Sequence, residues 1–158
     1  ILAEILGGAS TADAHHITAP SPGGVGAITC MRLALEEAGV EPDQVRHINA
    51  HGTSTPLNDM AEALAMAEVF GTDGPLVTST RGIPGHALGA AGAIEAVAVV
   101  LAIRKGLVPP TAGYATADPE MPPIHLVTGS PAQWEPGISM SNSFGFGGHN
   151  GSLVIAPA

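Results

Sequence analysis

The sequence of 158 residues has little charge, few basic residues and a single cysteine. Charged side chains make up 12% of it, against roughly a quarter in ordinary soluble domains. So little charge leaves a monomer of this size short of polar surface, and it predicts that another chain covers part of that surface. Lys and Arg number 5 against 14 Asp and Glu, a net charge of −9. That excess opposes the phosphate-neutralising contacts nucleic acid demands, and no basic cluster offsets it, so a nucleic-acid partner is not expected. The lone Cys30 rules out an internal disulfide framework and every C-x-x-C metal or redox motif. Its neighbours Ile28, Met31 and Leu33 predict a buried thiol. No run reaches the ~18 continuous apolar residues of a membrane span. Residues 1–8 carry Glu4 and no basic leader, which does not fit a signal peptide, and a reducing cytoplasm is expected. Also missing are G-x-x-x-x-G-K-[ST], H-E-x-x-H, G-x-S-x-G and a G-x-G-x-x-G that opens a helix.

A hydrophobic content of 45% permits a real core, and the length suits one domain or a large half of one, taken here as a single unit over 1–158. Residues 1–8 read as a strand with no polar lead-in, as if from the middle of a larger body. A long loop follows over 11–26. Ile28, Met31, Leu35 and Ala38 recur at helical spacing, predicting a helix over 25–38 that Gly39 closes. Strands are expected near 45–50, 76–80, 124–127, 138–143 and 153–155. Asp59 is placed as the cap of a helix that ends at Phe70. Residues 87–105 hold only Glu95 among apolar residues until Arg104, so a helix there is apolar all round and should lie buried within something larger. Gly85, Gly89 and Gly92 suggest close approach by neighbouring backbone. A Pro-rich connection fills 107–123. The order β-α-β-α-β-α-β-β-β is a layered α/β pattern.

Three junctions after strands carry the polar residues. They are Asn49-Ala50-His51-Gly52-Thr53-Ser54-Thr55-Pro56, then Ser79-Thr80-Arg81-Gly82-Ile83-Pro84-Gly85-His86, then Asn142-Ser143-Phe144-Gly145-Phe146-Gly147-Gly148-His149-Asn150-Gly151. Ligands of α/β sheets gather at the carboxyl ends of strands, which marks these loops as candidates. Each alone is a weak signal.

Taken together and in this order, they resemble the β-ketoacyl-acyl-carrier-protein synthases of fatty acid and type II polyketide synthesis. The resemblance runs over the whole chain but matches only the C-terminal half of that family. It implies a thiolase-like fold of two α/β halves around paired central helices, with 87–105 as the central helix of this half. It also implies a nucleophilic cysteine in the N-terminal half, of which Cys30 is not the counterpart.

The resemblance assigns roles as well. His51 and His86 would be neutral donors that assist decarboxylation of a malonyl thioester and stabilise the enolate. A neutral imidazole suits charge developing on a thioester oxygen. The backbone N–H of Phe146 would be an oxyanion-hole donor and its ring a gate. Thr53 and Thr55 would hydrogen-bond the phosphopantetheine arm of the acyl carrier protein, with plain turn chemistry as the other account. No cofactor of the chain's own is implied beyond a structural monovalent cation at Asn49, Glu95, Ser141 and Asn150, and a hydrogen-bonded buried carboxylate explains Glu95 equally well. Where the family carries a lysine paired with the carboxylate at Glu95, this chain has Arg81, and Pro84 replaces the usual threonine. Arginine keeps the charge but is longer, planar and forked.

The expected partners are an N-terminal half bearing the cysteine, the acyl carrier protein and a second copy of the assembled unit. Two further readings stay open: a non-catalytic subunit resembling a chain-length factor, and a fragment of a full-length synthase.

Overall fold

Glycines end all three helices of the computed structural model, which describes residues 1–158. Gly39, Gly71 and Gly106 each take positive φ and turn their N–H back onto the last helical turn. The helices are α1 (Val25–Ala38), α2 (Pro56–Phe70) and α3 (Ala91–Lys105). The strands are β1 (Glu4–Ala12), β2 (Val45–Asn49), β3 (Leu76–Thr78), β4 (Leu107–Val108), β5 (His125–Leu126), β6 (Ala132–Gln133), β7 (Ile138–Gly145) and β8 (His149–Ala156).

Six strands form one sheet in the order β1-β8-β7-β2-β3-β5, while β4 and β6 pair separately. The centre is parallel, β7 with β2, β2 with β3 and β3 with β5; β8 and β1 are antiparallel additions. Alternation along β7 sorts its residues by face. Ile138, Met140 and Phe144 join the main core under α1 and α2, with Met31, Leu35, Ile48, Met66 and Val77. On the other face Val99 and Ile103 of α3 pack on Ile155, with Trp134 beside them. Each such side chain taken from water contributes about 1.5–3 kcal/mol, and most of these lie on the α1/α2 side. The α3 side is thin.

The layered α/β architecture is the expected one, with differences in detail. The first strand spans Glu4–Ala12, later than residues 1–8, because its edge pairs with all of β8. That pairing also extends β8 well beyond 153–155. Asp59 does not cap α2. The cap is Thr55, four residues earlier, since Pro56 has the fixed φ that suits a first helical position. A short 3₁₀ turn at Leu88–Ala90 precedes α3, and a second at Thr80–Gly82 takes the end of the strand expected over 76–80. The tiny β4–β6 sheet was not legible in the Pro-rich connection.

Of Gly85, Gly89 and Gly92, only Gly92 faces a neighbour, the Ser143 hydroxyl, and Gly85 and Gly89 face open space. Within this chain α3 is not buried all round, because Ile94, Val97 and Leu101 stand exposed. No helix is long and apolar enough to cross a membrane. Cys30 is fully buried, its Sγ 3.4 Å from the Ala9 carbonyl oxygen, and burial pushes its thiol up.

Candidate functional site

β2, β3 and β7 run parallel, so their carboxyl ends share one edge of the sheet, and the three polar junctions meet there. The third junction is mostly strand: Asn142–Gly145 belongs to β7 and His149–Gly151 to β8, leaving only Phe146–Gly148 as the turn.

His51 is buried at the end of β2. The His86 ring lies edge-on to it, centroids 6.0 Å apart and planes at 88°, and the Phe144 ring lies tilted against it at 5.7 Å. An Arg81 terminal nitrogen sits 2.9 Å from Nδ1 of His51. Arginine carries only donors, so Nδ1 accepts and the single imidazole proton sits on Nε2. Burial, then the charge of Arg81 and the nearness of His86, hold the His51 pKa down to about 3. His86 reaches the same tautomer by another route. Its Nδ1 accepts the N–H of Leu88 at 3.1 Å, and Leu88 adopts a left-handed φ of 51° to supply it. The site therefore presents two imidazoles, each with an Nε2–H to give.

Arg81 is 7% exposed and Glu95 2%. Their Nε and Oε1 stand 2.9 Å apart as a close charge pair, although that N–H is not aligned on the carboxylate and Nη1 has no partner. The Ser143 hydroxyl donates to the other Glu95 oxygen at 3.5 Å. Burial pushes the Glu95 carboxyl up while Arg81 pulls it down. Arg81 thus bridges Glu95 to His51. Thr53 and Thr55 share a hydrogen bond of 2.9 Å between their hydroxyls. Phe146 is 76% exposed, and Ile83 of the second junction and Leu88 just after it are exposed apolar residues as well.

The four expected cation ligands are not brought together. Asn49 pairs in register with Ser141 on the α3 face, where Ser143 reaches Glu95. Asn150 pairs with Phe144, so it points to the α1/α2 face and donates to Asp13, Thr11 and the Gly148 carbonyl. The sheet separates it from Glu95. Arg81 already neutralises that carboxylate, and Asn49 leaves its Nδ2 without a partner. An arginine at contact distance and a separated fourth ligand do not fit a monovalent cation.

One site residue escaped the sequence reading, and a second was named only as part of a junction. Glu62 of α2 accepts the N–H of His51 and of Gly52, both at 2.8 Å. Ser79 donates its hydroxyl to the Gly52 carbonyl at 3.0 Å. The signal for Glu62 was a single acid among Ala61, Ala63 and Ala65 on a helical run; Ser79 stood in the second candidate junction with no role of its own.

Residues 2–115 match the profile of a family described as β-ketoacyl synthase, C-terminal domain. The chain is 47% identical to the chloroplastic 3-oxoacyl-[acyl-carrier-protein] synthase II of Arabidopsis thaliana, over 99% of this chain and 29% of that protein. The structure of the ishigamide ketosynthase/chain length factor superposes with a TM-score of 0.95 at 37% identity, covering all of this chain and 38% of that one. A type II polyketide ketosynthase solved with its acyl-carrier protein, AntDE:AntF, gives 0.94 at 34%, covering 100% and 39%. These likenesses carry the thiolase-like layered fold and its assignment to a C-terminal half. The chain spans about a third of the length of each.

Proposed function

We propose, from the premise that this chain belongs to the β-ketoacyl synthase family and carries its C-terminal domain, that it supplies the decarboxylating half of a condensing active site. In the reaction a malonyl thioester loses carbon dioxide. The bond to the carboxylate breaks, and its electron pair passes to the thioester carbonyl as an enolate. Nε2–H of His51 and of His86 donate to that oxygen. The enolate carbon then attacks an acyl thioester held on a cysteine of the N-terminal half; a carbon–carbon bond forms and the thiolate leaves. The backbone N–H of Phe146, with that of the cysteine, would serve the oxyanion of the tetrahedral stage, and the Phe146 ring would act as a gate. The hydroxyls of Thr53 and Thr55 would hold a phosphopantetheine arm.

The observation that carries this reading is the matched tautomer of the two histidines, each fixed by a donor at Nδ1. Its partners are the cysteine-bearing half, an acyl carrier protein and a second assembled unit. The lone buried cysteine suits a reducing cytoplasm for that assembly. Arg81, where the resemblance implies lysine, supports a second reading as a non-catalytic subunit akin to a chain-length factor.

The test is malonyl-thioester decarboxylation by the assembly of this chain with its N-terminal half. His51→Ala and His86→Ala should each slow it by about 10²–10³, the effect of losing one preorganised donor. Acyl transfer to the cysteine should suffer less. Variants within twofold of the parent rate would refute the assignment.

A further inference from the structure

Residues 53–55 depart twice from their most stable local structure, and neither departure serves the fold. Ser54 carries a left-handed φ of 60°, where an L side chain crowds its own backbone, and its side chain is exposed. Thr55 is the N-cap of α2, with an extended φ of −113°. A threonine hydroxyl at that position ordinarily accepts the N–H of the second or third helical residue, here Leu57 or Asn58. Thr55 makes no such bond. Its Oγ1 turns to Oγ1 of Thr53, 2.9 Å away.

The two departures have one cause. Along an extended chain, residues i and i+2 share a face but stand roughly 6.6 Å apart, too far for their hydroxyls to bond at about 2.5–3.0 Å. A left-handed residue between them folds the chain and closes the gap. Gly52, on the other side of Thr53, also has positive φ, +38°, and its carbonyl accepts the Ser79 hydroxyl at 3.0 Å, which braces the first bend of the loop. Ser54 makes the second bend. A hydrogen bond between exposed hydroxyls adds little to stability, because water would serve each of them as well. Strain at 54 and the forgone cap at 55 are therefore not offset within this chain.

Backbone strain of this kind gathers where a site must be held in shape. A mutually bonded hydroxyl pair uses one O–H internally and keeps one O–H and several lone pairs free. That set matches an amide, whose carbonyl accepts and whose N–H donates. We propose that Ser54 is a positioning residue: its left-handed backbone turns the Thr55 hydroxyl off the helix end and onto Thr53, so that the pair reads one amide of the thioester arm as a unit. This rests on the ketosynthase reading above, which gives the threonines an arm to hold, and it adds what makes the pair selective for arms that carry an amide.

The experiment uses the assembly of this chain with its N-terminal half and two malonyl thioesters, one of pantetheine, which carries amides, and one of ethanethiol, which carries none. The readout is the ratio of their kcat/KM values for decarboxylation. Glycine and asparagine tolerate left-handed φ, and β-branched residues do not. Ser54→Gly and Ser54→Asn should keep the ratio within about twofold. Ser54→Thr and Ser54→Val should lower it about tenfold, the scale of one hydrogen bond, and the loss should sit in KM for the pantetheine thioester and not in kcat. Ser54→Thr is the deciding variant, since it keeps the hydroxyl and loses the conformation. Val69→Ala, in the core of the same helix, should lower Tm and leave the ratio alone. Four results would overturn the proposal: a parent that prefers neither thioester, no change in any Ser54 variant, a ratio that merely follows Tm, or Ser54→Thr matching the parent while Ser54→Gly fails. A parent assembly that decarboxylates neither thioester sinks the ketosynthase reading instead. Titration with pantetheine itself then decides the proposal, which stands if Ser54→Thr weakens binding about tenfold and Ser54→Gly does not, and falls if the parent binds no better than Ser54→Thr.

Discussion

The Arg81 guanidinium meets His51 at Nδ1, 2.9 Å away. A donor that never loses its charge at that nitrogen does two things at once. It reserves Nε2 for the proton and discourages a second proton from joining the ring. The same group holds Glu95 at 2.9 Å through Nε, so one side chain spans a buried acid and a buried imidazole. This geometry needs arginine's length and fork.

Arg81→Lys replaces the fork with one compact ammonium, which cannot serve both neighbours as guanidinium does. It should pair with Glu95 and release Nδ1 of His51, lowering decarboxylation about tenfold, the scale of one lost charge-assisted hydrogen bond. Arg81→Ala leaves Glu95 buried and unpaired and should cost about 3–5 kcal/mol, with part recovered by adding Glu95→Gln. Steady-state rates and denaturant melts of the assembly measure both. A faster Arg81→Lys enzyme would mean that arginine here suppresses catalysis, in favour of the chain-length-factor-like reading.

Stability should fall in acid for a reason visible at two histidines. Burial holds His47 down to about 4 and His51 to about 3, both below the ordinary 6.5. An unfolded chain gains these protons as pH drops through 6.5 while the folded chain refuses them, so stability is lost from 6.5 downward. Neither ring nitrogen of His47 has a partner. His47→Leu should therefore raise Tm at neutral pH and flatten the acid limb between pH 6.5 and 4. Glu62 works with the opposite sign: burial lifts its carboxyl from 4.5 to about 7, so its contribution to stability is present below 4.5 and lost as pH rises through 7. Melting curves from pH 4 to 8 for the parent, His47→Leu and Glu62→Gln separate these two limbs.

Ile94, Val97 and Leu101 recur at i, i+3 and i+7 on α3, and Val97 is 59% exposed. Such a stripe on the thin side of the sheet calls for a covering partner. The chain alone should aggregate or fold poorly, and become soluble with the cysteine-bearing half. Val97→Asp should abolish that co-elution in size-exclusion chromatography while Arg32→Ala, on the exposed surface of α1, does not. A sharp monomeric peak of the unpartnered parent with cooperative unfolding would contradict this.

Gly52 has φ +38°, and a Cβ on it would lie 2.6 Å from the Ser79 side chain. Gly52→Ala should destabilise by about 1–3 kcal/mol from backbone strain alone, and should lower decarboxylation because His51 is its neighbour. Ser79→Gly in the same chain relieves the clash but not the strain. Partial recovery of Tm is expected, and full recovery would show that sterics alone reserve the position for glycine.

Local chemistry determined much of this protein from sequence. The period of Ile28, Met31 and Leu35 and the helix-closing glycine at 39 follow from propensity and side-chain direction, which neighbours in sequence decide. His51, His86 and Arg81 were legible too, because strand ends feed loops and those loops carried a specific order of motifs. Three things were beyond it. Only strand pairing could show that Asn150 and Glu95 lie on opposite faces, since one residue of register exchanges the faces. Only packing could place Arg81 on His51, 30 residues away in sequence. Only the tertiary contact of α2 with the β2 loop gave Glu62 its two backbone donors; in sequence it is one acid in a run of alanines. Long-range geometry sets which groups share a space, and local patterns carry no record of it.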